Sequence, residues 1–335
     1  MKTRHAQQGF SLVELMIALL LGLMVIGGVT SVFLSNKQSL RTNTALSQVQ
    51  EASRIAFELL SRDIRQAGLS ACGNTNRITN TLNNPAGCWW CGFNNALRGY
   101  EGNQASAVAF GTGAAARVNG TDAIQLMGVA DTGLSITSHN APSAGFFISA
   151  ATTDLAPGDI IMVCDPDHAA IMQISNYNAA NVRVNHNTGS GSPGNCNNSL
   201  NFPTDCSINC NAGGGGNCYS YGPNSQLARM TASEWYIGVN PRGGRSLYQL
   251  ALRNNGGNAG TQAQEMVRDV TDMQLQYLFG NTYLNANDAA LTDWTQVTAV
   301  RMTLTMTGAD DFTGTDGERL GRSFTASVTA RNRVN

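Results

Sequence analysis

Gly9-Phe10-Ser11-Leu12-Val13-Glu14-Leu15 joins two unlike segments. Ahead of it, residues 1–9 carry Lys2 and Arg4 and no acid. Behind it the apolar run continues, so that Phe10 to Leu34 spans 25 residues with Glu14 as its one charge. As a helix this run is ~37 Å long, enough to cross a bilayer. The basic flank predicts a cytoplasmic N-terminus with the remainder exported. The run is too long for the apolar core of an ordinary signal peptide, and no A-x-A cleavage site follows promptly. An ordinary anchor does not account for Glu14, since a carboxylate near mid-membrane costs roughly 2–3.5 kcal/mol even on lenient scales. Glu14 therefore needs a partner or a role beyond reaching back to the headgroups. Phe10 lies one helical turn from it, at i+4.

The composition removes several function classes. The chain has 335 residues, room for one large domain or two ordinary ones. A formal charge of −1 gives no basic nucleic-acid footprint and no acidic disordered tail. Charged residues are 13%, against roughly 25% in ordinary domains, so Asn, Thr, Ser, Gln and Gly must build much of the surface. Lys2 and Lys37 are the only lysines. The cysteines are Cys72, Cys88, Cys91, Cys164, Cys196, Cys206, Cys210 and Cys218, an even count that favours disulfides in an exported chain. Eight cysteines allow 105 connectivities. Proximity points weakly to pairing within 196–218 and to one bond from Cys164 to the 72–91 group.

From Asn36 to Ala67 the helical pattern becomes amphipathic. Leu46, Val49, Ala52, Ile55, Ala56, Leu59, Leu60 and Ile64 recur at spacings of three and four, with Arg54, Glu58, Arg62, Asp63 and Arg65 mostly between them. Gly68 is placed to end the helix as its C′ residue. With no Pro from Met1 to Asn84, the pattern predicts one helix from about Phe10 to Ala67. Gly22, Gly27 and Gly28 suit close helix packing or local melting. After Gly68 come short apolar runs bounded by Gly, Pro, Asn and Asp, which predict strands near 106–111, 123–129, 145–150, 159–164, 170–175, 181–185, 234–239, 246–252, 273–279, 297–306 and 323–330. In the stretch from Val297, residues Val300, Met302, Leu304 and Met306 alternate with Arg301, Thr303 and Thr305, the pattern of a half-buried antiparallel strand. Residues 69–105 read as loop-rich, and 186–224 as a Gly/Asn/Ser-rich loop with four cysteines.

No constellation makes a convincing catalytic or metal site. Cys88-Trp89-Trp90-Cys91 is a CxxC in an Asn/Gly loop, without the strand-to-helix setting that activates a redox thiol. A zinc site joining Cys88 and Cys91 to Cys206 and Cys210 is the minor reading beside disulfides. His5, His139, His168 and His186 are dispersed, and His168 reads as part of a strand-end turn after Asp165-Pro166-Asp167. Asp310, Asp311, Asp316 and Glu318 could offer hard oxygens to calcium but lack EF-hand spacing, so a solvated turn is favoured. Gly213–Gly216 lacks the Lys-Ser/Thr of a phosphate-binding loop, and Gly189–Gly194 has no Ser at the centre of a nucleophile elbow. Trp89 and Trp90 fit burial beside the disulfides better than an exposed adhesive patch.

The string Gly9 to Glu14 resembles the prepilin signal of the type IV pilin family, whose pattern is a short basic leader, Gly, a hydrophobic first mature residue and Glu at the fifth mature position. Every element is matched. The resemblance implies cleavage between Gly9 and Phe10 by a prepilin peptidase, N-methylation of Phe10, and pairing of Glu14 with the N-terminal amine of a neighbouring subunit, each charge relieving the other's burial. Losing the leader with Lys2 and Arg4 takes the formal charge from −1 to −3. Less specific likenesses follow. Glu58 to Gly68 is similar to the helix end of the PilW family of minor pilins. Pro157 to Val163 with Ala170 to Ile174 looks like that family's central strand pair. Val267 to Tyr277, Trp294 to Leu304 and Arg322 to Asn332 resemble its C-terminal half. Nothing in 186–224 is similar.

What the resemblance implies is an α+β, pilin-like fold: a leader over 1–9, a membrane or filament-core helix over 10–34, an amphipathic helix over 35–68, and a β-rich, disulfide-bonded head over 69–335. It further implies a minor pilin, not an enzyme, in a tip complex that primes pilus assembly and so supports twitching motility, adhesion or DNA uptake. Its partners would be other minor pilins, the major pilin, the prepilin peptidase and the inner-membrane assembly platform. No cofactor, metal or direct nucleic-acid contact is expected. The chain would sit in the inner membrane before assembly and on the pilus or cell surface after it. A GspJ-like pseudopilin of a type II secretion system is the alternative, and an N-terminally anchored extracytoplasmic enzyme the third reading.

Overall fold

A computed structural model of the chain describes residues 9, 11–72, 77–93, 96–189, 191–210, 218–309 and 318–333. The chain divides into two compact units, Met1–Glu51 with Thr307–Gly321 and Ala52–Met306 with Arg322–Asn335. One helix, α1 (Leu12–Gln66), contributes to both.

The first unit contains the apolar part of α1, which is long and apolar enough to cross a membrane. Its large side chains are exposed, Leu12, Ile17, Leu23, Val29 and Leu34 among them.

The second unit is the β-rich head. Its strands are β1 (Ile78–Asn80), β2 (Leu97–Tyr100), β3 (Ala123–Asn140), β4 (Gly145–Ile148), β5 (Ile160–Cys164), β6 (Ala169–Gln173), β7 (Asn176–Asn178), β8 (Arg183–Asn185), β9 (Gln226–Val239), β10 (Arg245–Asn255), β11 (Asn258–Arg268), β12 (Val270–Phe279), β13 (Thr282–Leu284), β14 (Val297–Thr307) and β15 (Gly321–Thr329). The larger sheet runs β1-β6-β5-β9-β3-β4-β8-β7, with β10 and β11 added beside β9 and β2 beside β3. The smaller runs β13-β12-β14-β15. Pairings β5–β6, β5–β9, β3–β9, β9–β10 and β12–β14 are antiparallel, and β1–β6 is parallel. The predicted alternation in β14 is present: Val300, Met302, Leu304 and Met306 are buried, and Arg301, Thr303 and Thr305 half-buried.

The head end of α1 buries Ala56, Leu60 and Ile64 at the helical spacing of an amphipathic face, and Ala67, just past its end, is buried with them. Burying Leu60 and Ile64 contributes roughly 1.5–3 kcal/mol each. The helix then stops at Gly68, whose φ of +77° suits glycine and whose amide donates to Met127 O at 2.8 Å. A Cβ at Gly128 on β3 would come within 2.7 Å of Gln66 O, so the strand is bare where the helix end rests on it.

Asp63 fixes this docking. Its Oδ2 accepts from Trp235 Nε1 at 2.9 Å, Gln249 Nε2 at 2.9 Å and Ser233 Oγ at 3.2 Å. Trp235 and Gln249 are directly opposed on β9 and β10, and Ser233 is two residues from Trp235 on the same face.

The other face of β9 carries Glu234, fully buried. It accepts from Ser106 Oγ at 2.5 Å, Ala107 N at 3.1 Å and Gln125 Nε2 at 2.6 Å. Arg117, also buried, donates to Gln104 O, Glu101 O, Thr121 O and Ser106 Oγ at 2.8–3.1 Å. The two side chains, bridged by Ser106, wrap 101–121 over the sheet. This corrects one expectation: 106–111 is no strand, although Phe110 makes one isolated bridge to Arg117. Within it Ala107 N donates to the Glu234 carboxylate, and Gly111 N donates to the main-chain oxygen of Arg117.

Asp122 ties the two sheets together. Its amide donates to Met273 O at 2.9 Å, and its Oδ2 accepts from Leu275 N at 2.8 Å. Burial is the main cause that pushes its carboxyl up to about 7, against the Leu275 amide, which lowers it. The folded state thus holds a proton that the unfolded chain releases near pH 3.9. The resulting stability is complete below that pH and lost as pH rises through 7, with a slope of at most about 1.4 kcal/mol per pH unit.

Two outcomes are expected. Asp63→Ala strands the buried Trp235 N–H and lowers stability by about 2–3 kcal/mol in urea unfolding. Asp122→Asn removes the titration, so the difference in midpoint between wild type and variant changes from pH 5 to pH 8; a constant difference would show that Asp122 does not titrate there.

Candidate functional site

The N-terminal signal sits at the start of α1. Gly9 is exposed, and Phe10 lies outside the described residues. Ser11 precedes the first helical residue, and its Oγ accepts from the Glu14 amide at 3.2 Å. This satisfies one of the helix's unpaired N-terminal donors, as in a capping box. Glu14 is in the first turn, where the helix dipole favours an anion. Its side chain is exposed, beside the exposed apolar chains of Leu12, Val13, Leu15 and Met16. A Cβ on Gly22, Gly27 or Gly28 would meet nothing within 4 Å. The arrangement is one carboxylate at the tip of an uncovered apolar helix, a surface built for burial against lipid or other helices.

In the head the cysteines form four bonds: Cys72–Cys164, Cys88–Cys91, Cys196–Cys206 and Cys210–Cys218. None is free. The CxxC therefore closes on itself, and Cys206 and Cys210 belong to separate bonds. Trp90 is buried in the core with Phe93, Met127 and Met230, and Trp89 packs half-buried against it. Cys72–Cys164 joins the segment after α1 to the end of β5.

The histidines that looked dispersed in sequence are partly gathered. His186 Nε2 and His139 Nε2 are 3.3 Å apart, and His139 Nδ1 accepts from the Tyr221 amide at 3.2 Å. An accepting Nδ1 leaves the His139 proton on Nε2, which donates to His186. Burial holds both well below the ordinary range, His139 at about 4 and His186 at about 3. They are a neutral hydrogen-bonded pair against Phe146, with the His186 ring stacked on it and the His139 ring tilted to it. His168 closes the β5–β6 turn: Asp165 Oδ1 accepts from the Asp167 and His168 amides, and the His168 ring reaches Asp167 Oδ2 at 3.0 Å and Leu200 O at 2.9 Å. The Leu200 contact holds the cysteine-rich loop to the head. Among the described residues no three His, Cys, Asp or Glu side chains are grouped to hold a metal. Asp310, Asp311, Asp316 and Gly213–Gly216 lie outside the described residues, as do His5 and Ser190.

Sequence reasoning missed the anchors at Asp63, Arg117 and Glu234. Asp63 carried a signal, since it lies seven residues from Ala56 and three from Leu60 on the apolar face. Glu234 carried one also, as an acid opening the apolar run from Trp235 to Val239. Arg117 had none.

Comparison with known families gives two matches. Residues 4–30 match the model of the prokaryotic N-terminal methylation motif. Residues 234–332, from β9 through β15, match the model of type IV pilus-assembly protein W. No curated protein and no solved structure gives a significant match.

A disulfide stabilises chiefly by shortening the unfolded chain's freedom, more for longer loops. Replacing Cys72 and Cys164, 92 residues apart, with Ser is expected to cost roughly 4–5 kcal/mol. Replacing Cys88 and Cys91, three apart, costs less, and unfolding midpoints of the two double variants check the order.

The motif at one end and the C-terminal pattern at the other bear out the resemblance read from the residues there: residues 4–30 are similar to the methylated N-terminal signal and residues 234–332 to type IV pilus-assembly protein W, while the likenesses read at Glu58 to Gly68 and Pro157 to Ile174 lie outside the matched residues.

Proposed function

We propose that the chain is a minor pilin of the tip or initiation complex that primes assembly of the major pilin. The observation that carries this reading is Glu14 in the capped first turn of a helix whose apolar side chains are uncovered from Leu12 to Leu34. Processing between Gly9 and Phe10 and methylation of Phe10 would place a positive amine one turn from Glu14. In a filament core that amine and the carboxylate of a neighbour offset each other's burial, so Glu14 sets register. Residues 1–9 are then the leader, 10–34 the part held first by the inner membrane and later by the filament, 35–68 the helix that bears the head, and 69–335 the head itself. The positive leader keeps the N-terminus cytoplasmic until cleavage. Other minor pilins, the major pilin, the prepilin peptidase and the inner-membrane platform are the partners, and motility, adhesion or DNA uptake depends on the assembled fibre.

In an in-frame deletion strain, sheared surface pilin is expected to fall at least tenfold while secreted enzyme activity is unchanged. Wild-type chain restores the pilin and Glu14→Ala does not. Loss of secretion with pilin intact would instead assign the chain to a type II secretion machine as a GspJ-like pseudopilin. The processed chain is expected to begin at Phe10 and to carry one added methyl group by mass spectrometry.

A further inference from the structure

The cysteine-rich loop returns to the sheet alongside the end of β3. Asn224 N donates to Ile136 O at 2.9 Å, and Ile136 N donates to Ser225 O at 2.8 Å. Nearer the loop the pattern changes: the Tyr221 amide donates to a side chain, His139 Nδ1, in place of a main-chain oxygen. Cys218, at the start of this return leg, is bonded to Cys210 in the loop. The buried Tyr221 ring packs against His139 and Phe146, with centroids 6.2 and 6.1 Å away.

The histidine pair has no free place for another proton. His139 Nδ1 accepts from Tyr221, so its proton is on Nε2 and is given to His186 Nε2. The His186 proton is then on Nδ1, buried and without a well-aligned acceptor among the described residues. The two lone pairs open to protonation, His139 Nδ1 and His186 Nε2, are the two that hold the arrangement together. A proton on the first sets N–H against the Tyr221 N–H, and a proton on the second sets N–H against the His139 N–H. His168, 5.5 Å from Tyr221, differs: its Nδ1 faces Asp167 Oδ2 and its Nε2 faces Leu200 O, so a doubly protonated ring keeps both bonds. The surroundings offer the pair no compensating anion. β4 packs Phe146 against it, and β8 brings a cation, Arg183, held by Ser143 Oγ at 2.8 Å. Burial pushes the Tyr221 phenol up, so it stays neutral. The carboxylates of the β5–β6 turn are engaged elsewhere, Asp165 by the Tyr219 hydroxyl at 2.6 Å and Asp167 by Arg77 at 2.8 Å.

We propose that the His139–His186 pair is an acid-released latch on the cysteine-rich loop: proton uptake frees Tyr221 and lifts the return leg, residues 218–225, from β3 while the sheets stay folded. Opening lets both rings reach water, where a histidine takes up a proton near pH 6.5. In the closed head both are held below that value, at about 4 and about 3. The latch is therefore at full strength above pH 6.5 and weakens as pH falls toward the folded values. Two protons taken up together raise the opening constant by up to ~100-fold per pH unit.

The test is amide exchange of the full chain in detergent at pH 7.5 and 5.0, each rate corrected for the intrinsic chemistry of exchange. The opening constant of 219–225 is expected to rise ~900-fold between these values with both histidines and ~30-fold with one. His139→Asn keeps an acceptor for the Tyr221 amide, and His186→Phe keeps an aromatic ring against Phe146. Each alone is expected to leave the smaller rise, and the two together almost none. A purely structural role would change protection equally at both pH values. The amides of β14 stay better protected than 219–225 throughout, which separates release of the loop from unfolding of the head. If the double variant does not fold, the two single variants carry the comparison. A wild-type rise below tenfold, an undiminished rise in the folded variants, or β14 exchanging as fast as the loop at pH 5.0 would overturn the proposal.

Discussion

The head is organised around the Asp63 carboxylate. A helix laid on a sheet by apolar contact alone can slide, because burial has no direction. Three donors converging on one oxygen remove that freedom. Trp235 and Gln249 come from opposed positions of β9 and β10, so the bond that holds α1 also holds the register of the two strands beneath it. Glu234, the residue between Ser233 and Trp235, points the other way and holds the 101–121 segment. One short stretch of β9 thus fixes a helix on one face and a wrapped loop on the other. That is why β9 is buried almost throughout and shows little alternation.

The two covers differ in chemistry. Towards α1 the contact is mainly apolar, with Ala56, Leu60 and Ile64 spaced for a helix face. Towards 101–121 it is mainly polar, built on two buried charges bridged by Ser106. A buried charge without partners is costly, so these must be matched by donors and acceptors from the loop backbone. The loop has its shape because Arg117 and Glu234 need it. Arg117 also lies over the Phe110 ring, 4.8 Å from its centroid, which seats the aromatic without a strand around it.

How much of this is legible in sequence depends on whether the feature has a period. The helix read correctly because its faces repeat at three and four, and Gly68 marked its end. β14 read correctly because one face is core and the other is not. β11 was missed because neither face is deeply buried, so Asn258 to Arg268 shows no alternation; the two-residue turn at Gly256 and Gly257, both with positive φ, was its remaining mark. The run 106–111 misled for the opposite reason, being apolar but committed to anchors far along the chain. The N-terminal signal is a local string and was readable at once. The Asp63 anchor draws its parts from α1, β9 and β10, and no window of sequence contains it.

The placement of one disulfide has a mechanical consequence. The chain leaves α1 at Gln66, turns at Gly68 and reaches Cys72, which is bonded to Cys164 at the end of β5. β5 lies inside the larger sheet, between β6 and β9. Tension applied along α1 is therefore handed, within a few residues of the helix end, through a covalent bond to a strand flanked on both sides. A pull of that kind is shared by the hydrogen-bond ladders to β6 and β9 and is not taken by an edge strand.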